Sequence, residues 1–247
     1  MNLKEEEAEI KKEFQLERVI LFTDAVFAII LTIMVLELKL PEDIKDDVAK
    51  IDKGFGILAF KLIAYALTFS LVARFWVVHL KLFRYLKDYD IRLITYNLLF
   101  LFSVSLYPSA VSLLAGSISP KLTEYSWAWA AYVFVFCSVS FTQTLICQYL
   151  IEKKDTLCIN VPDIETTYQW KVQRLNFIFA PAAIIIVIVL LYMNVRPMYM
   201  QYTAVAYGVL IGRFTRKYYP DNNNAPLIKR LFRKKRHVKQ IPKTDSE

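Results

Sequence analysis

Long apolar runs separated by short charged segments dominate the chain. Six stretches, about 18–40, 55–79, 92–115, 125–151, 171–194 and 199–214, reach or approach the length needed to cross a bilayer, about 20 helical residues for a hydrocarbon core of roughly 30 Å. FIFAPAAIIIVIVLLYM (177–193) and NLLFLFSVSLYPSAVSLLAG (97–116) are continuously apolar, whereas strands of a membrane barrel alternate with period two over about ten residues. The pattern predicts an all-α membrane protein with six transmembrane helices per chain. The first stretch follows a glutamate-rich start, EEEAEIKKEF, that reads as a surface helix, and it ends in LELKLPED without a small-residue cleavage site. It is therefore expected to stay as a span. The expected organisation is a cytoplasmic segment 1–17, a transmembrane region 18–214 and a basic cytoplasmic tail 215–247.

Composition supports a membrane protein: 56% of residues are hydrophobic, 15% are aromatic and the mean hydropathy is +0.34, more than a solvated globular surface carries. Charge then sets the expected orientation. The N-terminus to Arg18, the 80–92 and 151–174 loops and the tail from Arg213 hold 23 of the 31 lysines and arginines, against 6 in the three alternate loops. By the positive-inside rule both termini face the cytoplasm of a multi-pass protein in the plasma membrane. The net charge of +8 comes largely from IKRLFRKKRHVK (228–239). Beside six spans that run reads as a topology signal or a contact with anionic lipid of the bilayer, not as a nucleic-acid site.

Enzymatic chemistry has little to build on. The sequence has no Gly-rich phosphate loop, no HExxH and no G-x-S-x-G, and only two histidines, His79 and His237, so no cofactor, catalytic residue or fixed metal site is expected. Cys137, Cys147 and Cys158 are too dispersed for a zinc site or a disulfide framework. The midplane Gly/Pro breaks of many transporters are sparse, with five glycines in the chain and midspan prolines at Pro108 and Pro181. The potassium-filter sequence TVGYG is absent, so any pore has to be lined by side chains. GVLIG (208–212) is a small-xxx-small pattern expected to mark close helix packing.

The first span is unusual in carrying charge. Between Asp24 and Glu37 lie 12 uncharged residues, about 18 Å of helix at 1.5 Å per residue, so Asp24 sits at or near membrane depth and needs a protein partner. The second span ends LVARFWVVHLKLF (71–83), and the Trp76 indole or the His79 imidazole lies at matching depth in the expected topology. On a helical projection Ala25, Ile29, Thr32 and Leu36 share an arc of about 60°, with Asp24 about 140° from Ile29. Periodicity leaves this stripe open between a helix-packing seam and a pore wall.

The run R-x-x-x-F-T-D (Arg18, Phe22, Thr23, Asp24) with AVFAI after it, then W-x-x-H-x-x-L-F (Trp76, His79, Leu82, Phe83), YNLLFLF (96–102) and the proline of LYPSA (Pro108) resembles the transmembrane protein 175 family of potassium channels. Thr23 stands where the family hallmark has serine and keeps the hydroxyl. The likeness covers roughly residues 18–115, and the single six-span unit resembles the prokaryotic form. The resemblance implies a homotetramer with a potassium pathway on its axis, lined by the first helix of each subunit. It places Ile29 at the narrowest, hydrophobic ring, Thr32 and Leu36 in further layers, and Arg18, Phe22, Thr23, Asp24, Trp76 and His79 in the scaffold that holds the pore helix.

Arg18 lies about 20° from Ile29 in the same projection, so four arginines would face a cation path unless an acidic partner such as Glu17 or Asp24 held them aside or the mouth were wide. The resulting expectation is a passive, potassium-permeable channel. The rivals are a proton channel or ion-coupled transporter using Asp24 and His79, and a membrane anchor acting through the basic tail.

Overall fold

The computed structural model describes residues 3–36, 51–116, 122–159, 164–193, 195 and 197–219. Ten helices occupy the described residues: α1 Leu3–Leu36, α2 Ile51–Phe83, α3 Ile91–Ser105, α4 Tyr107–Gly116, α5 Leu122–Glu152, the short α6 Lys154–Leu157, α7 Ile164–Thr167 and α8 Trp170–Gln173, then α9 Asn176–Tyr192 and α10 Pro197–Tyr218. Five segments are long and apolar enough to cross a membrane: Ile10–Leu36, Lys61–Phe83, Ile91–Ala115, Tyr125–Glu152 and Trp170–Tyr192. The sixth expected stretch, 199–214, is helical within α10 but is not among those five. The basic run 228–239 and residues 37–40 lie outside the described residues.

The first helix is longer than its apolar run. The glutamate-rich start continues without interruption into the span, giving one helix of 34 residues, about 51 Å long. The third span, by contrast, is two helices. Leu106 breaks it two residues ahead of Pro108, where the proline has no N–H for the carbonyl one turn back and its ring crowds that carbonyl. Pro181 leaves α9 intact. The fifth expected span also divides, because Arg174 and Leu175 separate α8 from α9.

Packing centres on α5, which contacts α3, α4, α9 and α10, while α1 lies against α2, α3 and α4. The main core joins Phe27, Ile30 and Met34 of α1 to Val72 and Leu82 of α2, Phe100 of α3, Tyr107 of α4 and Ile146 of α5. A smaller core of Val133, Cys137, Ala180 and Val187 seats α9 on α5. Much of the outer surface is aliphatic, with Ile178, Ile185 and Ile188 of α9 all exposed, as expected of a surface solvated by lipid tails.

Four of the lysine- and arginine-rich segments meet at one end of the bundle. Lys12 Nζ donates to Asp88 Oδ2 at 2.7 Å. Leu86 pairs with Cys158 in an antiparallel bridge, flanked by Lys87 N to Leu157 O at 2.9 Å and Ile159 N to Tyr85 O at 2.7 Å. The Tyr168 hydroxyl donates to Leu82 O at 2.9 Å, and Lys171 N donates to the Tyr219 hydroxyl at 3.3 Å. The charge asymmetry of the sequence is thus an asymmetry in space.

GVLIG is not a packed seam within the chain. No heavy atom lies within 4 Å of where a Cβ would stand on Gly208 or Gly212. The glycines face open volume instead.

Candidate functional site

The first helix has two faces set by its spacing. Leu16, Thr23, Phe27, Ile30 and Met34 are buried against α2, α3 and α4. Ala25, Ile29, Thr32 and Leu36 are exposed, Ile29 by 56% and Leu36 by 65%. The stripe is therefore no packing seam within the chain. Arg18 and Phe22 are exposed as well, and together the six positions follow the spacing 4, 3, 4, 3, 4. That is the 3.5-residue repeat by which helices keep one line of contact facing partners around an axis.

Phe22 was expected to brace the helix, yet its ring is 53% exposed on the stripe side. Arg18 donates to Gln15 Oε1 at 3.4 Å, one turn back, and not to a carboxylate among the described residues. Thr32 Oγ1 donates to Ile29 O at 2.8 Å. Spending its only proton on its own helix leaves the hydroxyl oxygen as an acceptor at the exposed face, the polarity a dehydrating cation needs.

The opposite face is clamped by polar bonds at membrane depth. Trp76 Nε1 donates to Asp24 Oδ1 at 2.8 Å, joining α2 to α1. A charged acceptor makes this the stronger kind of hydrogen bond and gives the intramembrane carboxylate its partner. Thr23, 1% exposed, donates to Val19 O at 3.0 Å and accepts from Asn97 Nδ2 of α3 at 2.8 Å. The hydroxyl is used in both directions, which explains why threonine serves where serine is expected.

Asn97 lay inside the quoted YNLLFLF but had no assigned role. The available signal was the one amide side chain of that helix, whose burial in lipid or core requires a partner.

His79 is not the partner of Asp24. It is 2% exposed, stacks on Phe100 at a centroid distance of 5.1 Å and 12° between planes, and approaches Phe83 at 4.1 Å and Phe27 at 6.3 Å. Neither ring nitrogen has a hydrogen-bond partner among the described residues. The imidazole fills an aromatic layer under Phe27, one turn beyond Thr23. Asp24 and His79 thus sit on the same two helices, but only the indole reaches the carboxylate.

A third tie lies outside the membrane. Asp88 holds the Lys12 ammonium, and that bond lowers the Asp88 carboxyl below its ordinary value of 3.8, with the Tyr89 amide assisting. Asp90 caps α3 by accepting from Leu93 N at 2.8 Å and also accepts from the Tyr149 hydroxyl. The base of α3 is thereby fixed to α5.

Fold and site together define an all-helical membrane protein whose first helix is held on one face and bare on the other. Residues 18–108 match the model of the family described as endosomal/lysosomal potassium channel TMEM175. This segment, which carries the clamp and the exposed stripe, is similar to the transmembrane protein 175 family, as the motif resemblance implied. A potassium channel of Streptomyces collinus is 33% identical over 98 residues, which is 40% of this chain and 47% of that protein. The chain thus spans about half the length of the curated relative it matches.

Two solved structures share the fold. One is the crystal structure of a lysosomal potassium-selective channel TMEM175 homolog from Chamaesiphon Minutus, with a TM-score of 0.56 and 20% identity over 78% of this chain and 97% of that one. The other is a variant of the potassium channel MtTMEM175 in complex with a nanobody–MBP fusion, with a TM-score of 0.59 and 19% identity over 83% of this chain and 94% of that one. At these identities the likeness is one of fold.

Proposed function

We propose that the chain is a subunit of a passive, potassium-permeable channel in the plasma membrane. Four copies surround one axis, each contributing α1 to the wall and α10 as the sixth crossing of the bilayer. Both termini lie on the cytoplasmic side, where residues 1–17 and the tail 215–247 extend from the transmembrane region 18–214. Ile29 forms the hydrophobic constriction, Ala25, Thr32 and Leu36 the layers beside it, and Arg18 and Phe22 the approach to it. Thr23, Asp24, Trp76 and His79 hold the wall in place and do not meet the ion.

The observation that carries this reading is the exposed stripe Arg18, Phe22, Ala25, Ile29, Thr32 and Leu36, placed opposite a clamp that fixes its rotation. A narrow ring of isoleucines excludes ions by dewetting, and a hydroxyl ring at Thr32 replaces part of the lost hydration. Selectivity then rests on side chains, since the chain holds no carbonyl filter sequence. The Arg18 guanidinium is engaged by Gln15 at the wide end of the path, where bulk water screens it.

Flux into liposomes containing only the purified chain tests the proposal. Potassium uptake down its gradient, exceeding sodium and proton uptake, is expected. Transport against a gradient, or no flux without a further protein, would sink it in favour of a coupled transporter or an anchor.

A further inference from the structure

A cavity of about 480 Å³ lies between α2, α5, α8, α9 and α10, away from the exposed stripe of α1. Arg74 lines it, is exposed in the single chain and falls near the middle of the Lys61–Phe83 span, where a guanidinium is costly unless it faces a cavity or a counter-charge. Among the described residues no carboxylate pairs with it. The channel reading gives Arg74 no task.

The lining is ordered along the membrane normal. The α2, α5 and α10 C-termini meet the α8 end at one side of the bundle, so increasing residue number runs toward that side in those three helices and away from it in α9. On that side the wall carries Gln143, Gln173 and Asn176, with Asn176 bonded to the Tyr207 hydroxyl at 2.7 Å and to Thr144 Oγ1 at 3.0 Å. On the other side it carries Leu67, Leu71, Val133 and Ala183. Arg74 stands between the two halves. Gly208 and Gly212 keep the α10 wall open, with nothing within 4 Å of their missing Cβ atoms.

We infer that this cavity binds a single-chain amphiphile with an anionic head, the head on Arg74 and the amide-lined half, the acyl chain along Leu67, Leu71 and Val133. A small hydrated anion would leave the aliphatic half unfilled, and a neutral chain would leave Arg74 unpaired. Carboxylate and phosphate heads share the required chemistry, since both accept the guanidinium fork.

Trp129 lines the cavity, so acyl chains brominated near the tail quench its fluorescence on binding. The full chain in detergent is titrated with dibromostearate, with the alcohol of the same chain and with a brominated lysophosphatidate. Saturable quenching by an anionic amphiphile, absent in Trp129→Phe, is expected. The alcohol should bind at least tenfold more weakly.

Arg74→Gln should weaken the acid at least tenfold and leave the alcohol unchanged, while Arg74→Lys stays within about threefold of wild type. Gly208→Leu, which fills the open volume, should abolish both. The tighter of the carboxylate and phosphate arms assigns the head group. Equal binding of acid and alcohol by wild type, intact acid binding in Arg74→Gln, or non-saturable quenching overturns the assignment. So does a Gly208→Leu chain that keeps the quenching but loses its oligomer, because the cavity then belongs to a second copy. If Arg74→Gln fails to assemble, the comparison of acid with alcohol on wild type still decides the role of charge.

Discussion

The Trp76 indole N–H and the Asp24 carboxylate meet at 2.8 Å across the α1–α2 contact, and this bond fixes which face of α1 the subunit leaves bare. Breaking it should first affect assembly. Trp76→Phe leaves a carboxylate at membrane depth without its donor, a loss of about 1.5–3 kcal/mol for a charged acceptor, read as a lower midpoint of unfolding. Asp24→Asn keeps an acceptor oxygen and should lose less. A double-mutant cycle of Trp76→Phe with Asp24→Ala should give a coupling energy of about 0.5–3 kcal/mol. Additive losses would mean the two side chains do not act as a pair.

Ile29→Ala should raise flux several-fold by widening and wetting the constriction, with potassium-over-sodium preference falling at the same time. Thr32→Val, which is nearly isosteric, should lower the preference while leaving the proposed assembly intact, because it removes the only side-chain acceptor oxygen among the four stripe positions proposed to line the pore. Single-channel recording of both variants measures the two effects. Unaltered conductance and ion ratios in Ile29→Ala would place the constriction elsewhere.

The Thr23 hydroxyl bridges Val19 O and Asn97 Nδ2, so Thr23→Val should destabilise the fold by about 1 kcal/mol, the usual scale for hydrogen bonds between membrane helices. Thr23→Ser should stay near wild type. Thermal unfolding in detergent ranks the three, and equal midpoints for valine and serine would show that the methyl group, not the hydroxyl, matters.

Asp88 titrates below its ordinary value because Lys12 bonds to it. A carboxyl depressed in the folded state contributes stability that is present above the unfolded value, near 3.8, and is lost as the pH falls through the folded one. The contribution is small, on the order of 0.5 kcal/mol for a solvent-exposed pair. Asp88→Asn should therefore unfold slightly earlier than wild type at pH 7, with the gap closing as the pH drops below about 4. A gap that persists at pH 2 would mean the loss is not electrostatic.

His79→Phe tests whether the imidazole relays protons. The ring lies between aromatic faces with no partner for either nitrogen among the described residues, so phenylalanine should fit the layer and potassium flux per mole of protein should keep its size and pH profile. A lost proton current would restore the rival reading.

The helical class, the depth of Asp24 and its indole partner were legible because each follows from one element or from two at matching depth. The apolar runs are strong signals, and an aspartate in a span demands a donor that Trp76 could supply. The faces of α1 were harder. Nothing in the 3.6-residue repeat says whether Ile29 or Ile30 turns inward, since both lie in an unbroken apolar run, and only the core that Ile30 shares with Phe100 and Val72 of other helices decides it.

Phe22, expected in the scaffold, stands on the exposed side of α1, because being adjacent to Thr23 in sequence puts it about 100° away on the helix. His79 looked like a second donor to Asp24 because both stand at one depth, yet Phe27, Phe83 and Phe100 enclose its ring. The glycines of GVLIG were read by composition as a close contact, and the structure opens them onto a cavity lined from four other helices.

The uninterrupted course of α1 has a mechanical consequence. Lys12 and Leu36 are each 12 residues from Asp24, about 18 Å to either side at 1.5 Å per residue. The helix is thus a lever of equal arms with its fulcrum at the indole–carboxylate bond. A sideways pull of 1 Å at the lysine, from whatever grips the amino-terminal extension, swings the far end by about 1 Å in the opposite direction, in every copy of the proposed tetramer.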